Sequence, residues 1–416
     1  MTATGETALD VNALRGRFPA LARRVGDVPA MYLDGPGGSQ APDSVIEAVA
    51  GYLRGANSNC DGPFVTSAET DKLIADSRTV AADFLGCCTE EVVFGANTTT
   101  INFLLAHALG RTLAPGDEII VTELDHDANV APWLLVAGDR DLVVRTAPLD
   151  TRDGTLQLDA LEGLISSRTR VVACTLASNA IGSVTDIARV AAAAHGAGAL
   201  LWLDGVHFAP HRRINRAMLG ADVVLTSAYK YFGPHLGVAA IRAELAASLP
   251  ADRVRPAADR PLGHRFETGT LSHEALAGFV AAVEYLESLA TGGDDRAGRL
   301  DSAFAQIEEH ERALTRYTLT RLAQIPGLRL YGIADPDRLA ERTPTLCFNL
   351  DGWTARELSA ALGERGIFTY DGNYYALNAM TALGLEESGG AVRAGYLHYT
   401  THEEAERFCA VLAELA

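Results

Sequence analysis

The sequence predicts an α/β protein, with a mainly parallel sheet covered by helices on both faces and a smaller α+β lobe beside it. Three observations carry this. From about Val92 to Ile241 short apolar runs alternate with amphipathic stretches, the pattern of βα units. Those runs are apolar throughout rather than alternating, as in strands buried on both faces. At 416 residues the chain is about twice a typical domain, which leaves room for a second lobe.

Taken in order, residues 1–30 form a segment expected to pack on the smaller lobe, and residues 31–275 form the large α/β domain. EIIVTELDH, LVVRTAPLD, RVVACTLAS, ALLWLDGVH, DVVLTSAYK and GVAAIR read as its strands. TTTINFLLAHALGRT, ANVAPWLLVAG, DALEGLIS and DIARVAAAAHGAG read as helices between them. Helical patterning runs from Ser272 to about Ile325, broken only at Thr291 to Gly298, and RLYG, TLCFNL and GIFTY read as later strands. Residues 276–416 are therefore assigned to the smaller lobe. No internal repeat or low-complexity tract interrupts the chain.

Composition removes several function classes. A formal charge of -18, with no basic run, argues against a nucleic-acid partner, whose phosphates need clustered Lys and Arg. No stretch reaches the roughly 18 apolar residues of a membrane span, and Met1 to Asp10 lacks the order of a signal peptide, so a cytoplasmic protein is expected. The cysteines at 60, 87, 88, 174, 347 and 409 form no zinc-ligand spacing, and no metal is expected. Cys174 and Cys347 sit in apolar runs as small hydrophobes.

Chemistry gathers at strand ends. In SAYKYFGPHLG, Lys230 follows a strand where α/β sheets bind ligands, and a desolvated lysine forms Schiff bases. Alone, it reads as a surface-loop lysine. In LLWLDGVHFAPH, Asp204 closes an almost wholly apolar strand, where a carboxylate needs a cationic partner. The protonated pyridine nitrogen of pyridoxal 5'-phosphate (PLP) is one such partner; a helix cap is the other reading of Asp204 alone. Lys230 lies 26 residues on (230 minus 204), one βα unit later, and the pair favours the cofactor. FGANTTTINFLL places Thr98 and neighbouring hydroxyls at a helix start, either a phosphate site or a plain cap. His126, in TELDHDANVAPW, could lie over a planar cofactor and take part in proton transfer; a lone histidine is usually structural.

Together with YLDGPGGSQAP, SNAIGS, FETGT and VRAGYLHYTTHEE, these stretches resemble the class V aminotransferase family, in the cysteine desulfurase-like branch of the PLP enzymes. The similarity runs from about Arg17 to Leu412. It implies fold type I of the PLP-dependent transferases, with a mainly parallel sheet of the seven-stranded type, and PLP bound by the large domain. Lys230 would be the Schiff-base lysine, Asp204 the pyridine partner and His126 the imidazole stacked on the ring. His207 and Asn179 would face the phenolic oxygen; Thr98 with Asn97, and Ser227 with Tyr229, would hold the phosphate. Thr270, in FETGT, would reach the neighbouring subunit's phosphate, which implies a homodimer with shared active sites. Arg393 would bind the substrate carboxylate, and Gly37, Tyr374 and Tyr375 would lie on the substrate side.

One departure matters. The desulfurase nucleophile is a cysteine on a loop ahead of the carboxylate arginine, and here that loop reads TYDGNYYALNAM, with Tyr375 in its place. The expected activity is therefore that of a lyase acting at the Cα of an amino acid, such as a cysteine S-conjugate, by β-elimination or decarboxylating oxidative deamination. Tyr370, Tyr374 and Tyr375 either shape its pocket and donate a proton or simply pack. The resemblance extends to branches that process cysteine S-conjugated lincosamides, so a role in antibiotic biosynthesis is one expectation. An aminotransferase or epimerase is the alternative within the family, and a non-catalytic binding protein the alternative outside it. Residues 55–64 and 256–266 are expected to line the entrance, with Cys60 as a non-catalytic thiol.

Overall fold

The computed structural model describes residues 9–416, so the first eight residues of the expected N-terminal segment lie outside it. Its main sheet has seven strands. Their order across the sheet is Val92–Gly95, Gly237–Ile241, Val223–Ser227, Leu200–Asp204, Thr169–Thr175, Glu118–Thr122 and Val143–Ala147. Gly237–Ile241 runs against both of its neighbours, and the remaining pairs are parallel. All six strands read from the sequence form, and the helices Thr98–Gly110, Ala131–Arg140, Leu158–Leu164 and Ile187–Gly196 fall on the four stretches expected to be helical.

Two apolar clusters cover the two faces of this sheet. One holds Val172, Cys174, Leu201, Leu203 and Val224, and the other Val171, Ala173, Trp202, Val223 and Leu225. Alternate residues of each strand thus enter opposite clusters, which is why these strands are apolar throughout. The exception is the edge strand Val143–Ala147. Only Ala147 is fully buried there, since an edge strand has a neighbour on one side alone.

A second sheet has the order Leu328–Tyr331, Thr345–Leu350, Ala391–Gly395 and Tyr370–Gly372, all antiparallel. Ala391–Gly395 was not among the strands read from the sequence. It is short, lies between glycines and carries an arginine at its centre, so no apolar run marks it. The helix His273–Glu287 packs on the helices Asp43–Gly55 and Val65–Leu85, so its contacts attach it to the large sheet rather than to a lobe that starts at 276. The helix Arg296–Leu322 runs from that helix to the C-terminal helix His402–Leu415. The segment ahead of residue 31 does touch the C-terminal part: Arg15 pairs with Glu404 at 2.9 Å, and Arg407 donates to the Pro29 carbonyl. Among the described residues no helix is long and apolar enough to cross a membrane.

Candidate active site

Five strands of the main sheet aim their carboxyl ends at one cavity of about 780 Å³, where open α/β sheets place ligands. Asn97 and Thr98 follow the first of them, His126 the strand Glu118–Thr122, and Asn179 the strand Thr169–Thr175. Asp204 ends its own strand, and Ser227, Tyr229 and Lys230 close the fifth. All of these line the cavity, with His207, Gly37, Tyr374, Tyr375 and Arg393. Of the residues expected at the site, Thr270 alone does not; it is exposed. Neither entrance stretch lines it either, so within one chain residues 55–64, Cys60 and 256–266 lie elsewhere.

Lys230 is buried, and its Nζ donates to the carbonyls of Pro36 at 2.5 Å and Gly37 at 3.0 Å. Loss of hydration and the nearby Arg393 bring its pKa down to about 7, with Asp204 opposing. The chain has only one other lysine, Lys72, which is exposed and paired with Asp76. That count is a signal in the sequence that strand-by-strand reading passes over. A Cβ at Gly37 would lie 2.4 Å from the Tyr370 ring and 3.0 Å from the Asp34 carbonyl oxygen, so a larger residue there would displace that ring.

Asp204 accepts the Val206 N–H at 2.8 Å, and burial pushes its pKa up to about 6. A cation at its other oxygen would restore the carboxylate. His126 accepts the Ala128 N–H at Nδ1, 3.0 Å, so its proton sits on Nε2. Burial, then Lys230 and Arg393, lower its pKa to about 4, which keeps the ring neutral. Beneath this loop Asp125 takes the Thr122 hydroxyl and the Asn129 amide, Asn129 bonds Asn102, and Asn102 accepts the Trp202 indole N–H at 2.8 Å. This chain of buried polar groups ties the His126 loop to the helix that begins at Thr98 and to the strand that ends at Asp204.

At the helix start, the Thr98 N–H and hydroxyl both meet the Ser227 hydroxyl, at 3.2 and 2.7 Å. The Asn97 side-chain Oδ1 caps the Thr100 N–H, which leaves its NH₂ for a ligand. Gly237 permits this turn, since a Cβ there would sit 2.5 Å from the Asn97 backbone. Tyr229 stacks on His235 with ring centroids 4.9 Å apart.

Arg393 donates to the Asn179 carbonyl at 2.8 Å and lies 4.3 Å over the Tyr374 ring. Only 6% of it is exposed, its Nε has no partner, and burial lowers its pKa. Asn179 donates to the Tyr374 carbonyl at 2.9 Å while its own Oδ1 is buried without a partner. His207 bonds Thr345 at 2.9 Å and Thr343 at 3.2 Å, joining the two sheets, and burial holds it neutral. The Tyr374 hydroxyl is spent on the Ala391 carbonyl, so it has no proton for a substrate. Tyr374 and Tyr375 both have positive φ, 55° and 58°, a costly conformation for non-glycine residues that tends to persist at functional sites.

Sequence reasoning passed over Asp371, Asn373 and Glu386, which also line the cavity, because they stand in stretches with no strong pattern. Outside the cavity lining it also passed over Asp34, a partly buried carboxyl whose pKa desolvation raises to about 6, with a backbone hydrogen bond and Arg393 partly offsetting the rise.

These groups suit PLP: a hydroxyl-lined helix N-terminus for a phosphate, a buried carboxylate for the pyridine nitrogen, and a lysine of lowered pKa for the aldehyde. Capture of PLP by the apoprotein should speed up as pH rises through about 7, because the neutral amine attacks and the lowered pKa places its formation there. Stopped-flow absorbance checks this. Arg393→Ala should move the midpoint upward, since Arg393 helps to lower that pKa.

The family model described as Aminotransferase class-V matches residues 31–408. A probable cysteine desulfurase of Mycobacterium leprae is 31% identical over 98% of this chain, which spans 65% of that relative's length. A cysteine desulfurase of an Enterobacter species is 31% identical over 95% of this chain and 96% of its own. The solved apo cysteine desulfurase from Thermococcus onnurineus superposes with a TM-score of 0.88 at 26% identity, covering 99% of both chains. The chain therefore belongs to the class V aminotransferase family of fold-type I, PLP-dependent enzymes.

Proposed function

We propose that this chain is a lyase that breaks the C–S bond of a cysteine S-conjugate and passes no sulfur to a cysteine of its own. The observation that carries the reading is the cavity wall at Tyr375. Its ring lies 5.5 Å from His126, in the position where the relatives' resemblance calls for a thiol, and none of the six cysteines lines the cavity. A phenol does not take over the role of a thiolate as sulfur acceptor.

Bound PLP supplies an electron sink for the pair left at Cα. Lys230 would hold the cofactor and, as a free amine, would take the Cα proton at Nζ. Asp204 would keep a proton at the pyridine nitrogen. Neutral His126 would lie against the cofactor ring, and His207 and Asn179 would face its phenolic oxygen. Thr98 with Asn97, and Ser227 with Tyr229, would hold the phosphate, and the guanidinium of Arg393 would take the substrate carboxylate as a fork. As the Cα–H bond gives up its electron pair, the Cβ–S bond breaks and its pair leaves on sulfur as thiolate. The sum is S-conjugate plus water to thiol, pyruvate and ammonium.

A homodimer is part of the proposal. Exposed Thr270 cannot serve its own cavity, and Ile46, Leu53, Phe64 and Val65 expose apolar side chains that a second copy would cover. The relatives' names concern cysteine desulfuration and give the expected lincosamide-like pathway no support.

Incubation with cysteine and its S-conjugates, followed by mass spectrometry, tests the reading. Thiol, pyruvate and ammonium in equal amounts are expected. Release of carbon dioxide identifies decarboxylating deamination instead, stoichiometric loss of an added 2-oxo acid identifies an aminotransferase, and racemised substrate identifies an epimerase. Alanine from cysteine, with a persulfide on the protein, overturns it.

A further inference from the structure

We infer that the outer wall of the cavity selects S-conjugates whose sulfur-linked group carries a positive charge, with Glu386 as the specificity-determining carboxylate. The inference rests on the lyase reading above for the kind of substrate, and on the distribution of charge for its preference.

The lining is segregated. Its cations, Lys230 and Arg393, are both deeply buried, and no other lysine or arginine lines the cavity. Toward solvent the lining carries Asp371 and Glu386, with the rings of Tyr370, half exposed, and Tyr375, 71% exposed. Tyr374 separates the two regions. Its ring carries the Arg393 guanidinium, while its neighbour Asn373 donates Nδ2 to both oxygens of Glu386, at 3.0 and 3.2 Å. That amide fixes the carboxylate without neutralising it, and Glu386 forms no ion pair among the described residues. Asp371 is bonded to Arg356 at 3.1 Å, an arginine 84% exposed and therefore screened by water. The Tyr370 ring lies beside Gly37, where a Cβ would come within 2.4 Å of it.

At its buried end the cavity is lined by Arg393, whose Nε lacks a partner. Its charge fixes which end of an amino acid enters first. A carboxylate held there leaves the sulfur substituent to project past Tyr374 to the acidic, aromatic wall. An ammonium in that place gains the unpaired Glu386 carboxylate and the faces of tyrosine rings, whereas an anion meets that carboxylate and finds no cation but the water-screened Arg356 already paired with Asp371.

The test uses the PLP-loaded enzyme with three conjugates of similar size: S-(2-aminoethyl)cysteine, S-propylcysteine and S-(2-carboxyethyl)cysteine. The cationic conjugate is expected to exceed the neutral one in kcat/KM by about tenfold, with the anionic one lowest. Glu386→Gln, which keeps an acceptor for Asn373, should bring the cationic-to-neutral ratio down toward one, and Glu386→Lys should reverse the order of the charged pair. Equal kcat/KM values for the cationic and neutral conjugates, or a ratio untouched by Glu386→Gln, overturn the inference. If no conjugate is cleaved, the lyase reading fails by itself. The charge preference is then read from dissociation constants, obtained from the shift of the cofactor's visible band on titration: a tenfold tighter cationic ligand upholds it, and equal constants overturn it.

Discussion

Lys230→Ala protein is expected to lose the visible absorbance of lysine-bound PLP and to fall in kcat by on the order of 10³-fold or more, since one side chain both anchors the cofactor and moves the Cα proton. Borohydride reduction followed by peptide mass mapping reads the first effect directly: the wild-type adduct should sit on Lys230, and the variant should carry none. The competing site is unusually restricted, because Lys72 is the only other lysine and lies exposed beside Asp76. An adduct on Lys72, or a visible band that survives in the variant, would overturn the assignment. The folded state should tolerate the change. Removing Lys230 removes a group whose charged form burial disfavours, so the apoprotein's Tm should hold or rise.

Arg393→Ala should separate substrate from cofactor. The cofactor band should remain, because the guanidinium makes its one protein hydrogen bond to the Asn179 carbonyl and lies over Tyr374. Meanwhile kcat/KM should fall by about 10²- to 10³-fold, the size expected when one partner of a buried, charge-assisted pair is removed. Arg393→Lys should recover little of it, since an ammonium lacks the planar fork. Steady-state kinetics on one conjugate, beside the absorbance spectrum, check both halves. Unaltered kinetics would place the carboxylate elsewhere. Asp34 sharpens the expectation: burial raises its pKa to about 6 and Arg393 is among the influences that oppose the rise, so the variant's Asp34 should titrate higher still.

Much of the site was legible because its residues stand where regular elements end. Lys230, Asp204, His126 and Thr98 each follow or close an apolar strand or open a helix, and period and turn signals mark such places in one dimension. The acidic wall was not legible. Asp371, Asn373 and Glu386 come together through the short strand Tyr370–Gly372 and the turns that lead to Ala391–Gly395, and nothing in their spacing marks them as neighbours. The role of Tyr374 also changed on folding. As one of three tyrosines on a loop it read as a possible proton donor, but its hydroxyl faces the Ala391 carbonyl and its ring supports Arg393.

The sequence by itself determined six strands of the main sheet and the helices between them, the burial of the central strands and the set of reactive residues at their ends, because each follows from local periodicity and from the cost of burying charge. Only the tertiary structure decided which of these residues share a cavity. It brought Arg393, from a strand without an apolar signature, to within a hydrogen bond of Asn179, 214 residues away. It joined His207 to Thr345 of the second sheet and to Thr343 just ahead of it, and it left Thr270 outside the cavity of its own chain. The reason is physical: these placements come from packing and hydrogen bonding between elements distant in the chain, and such contacts leave no period in the order of the residues.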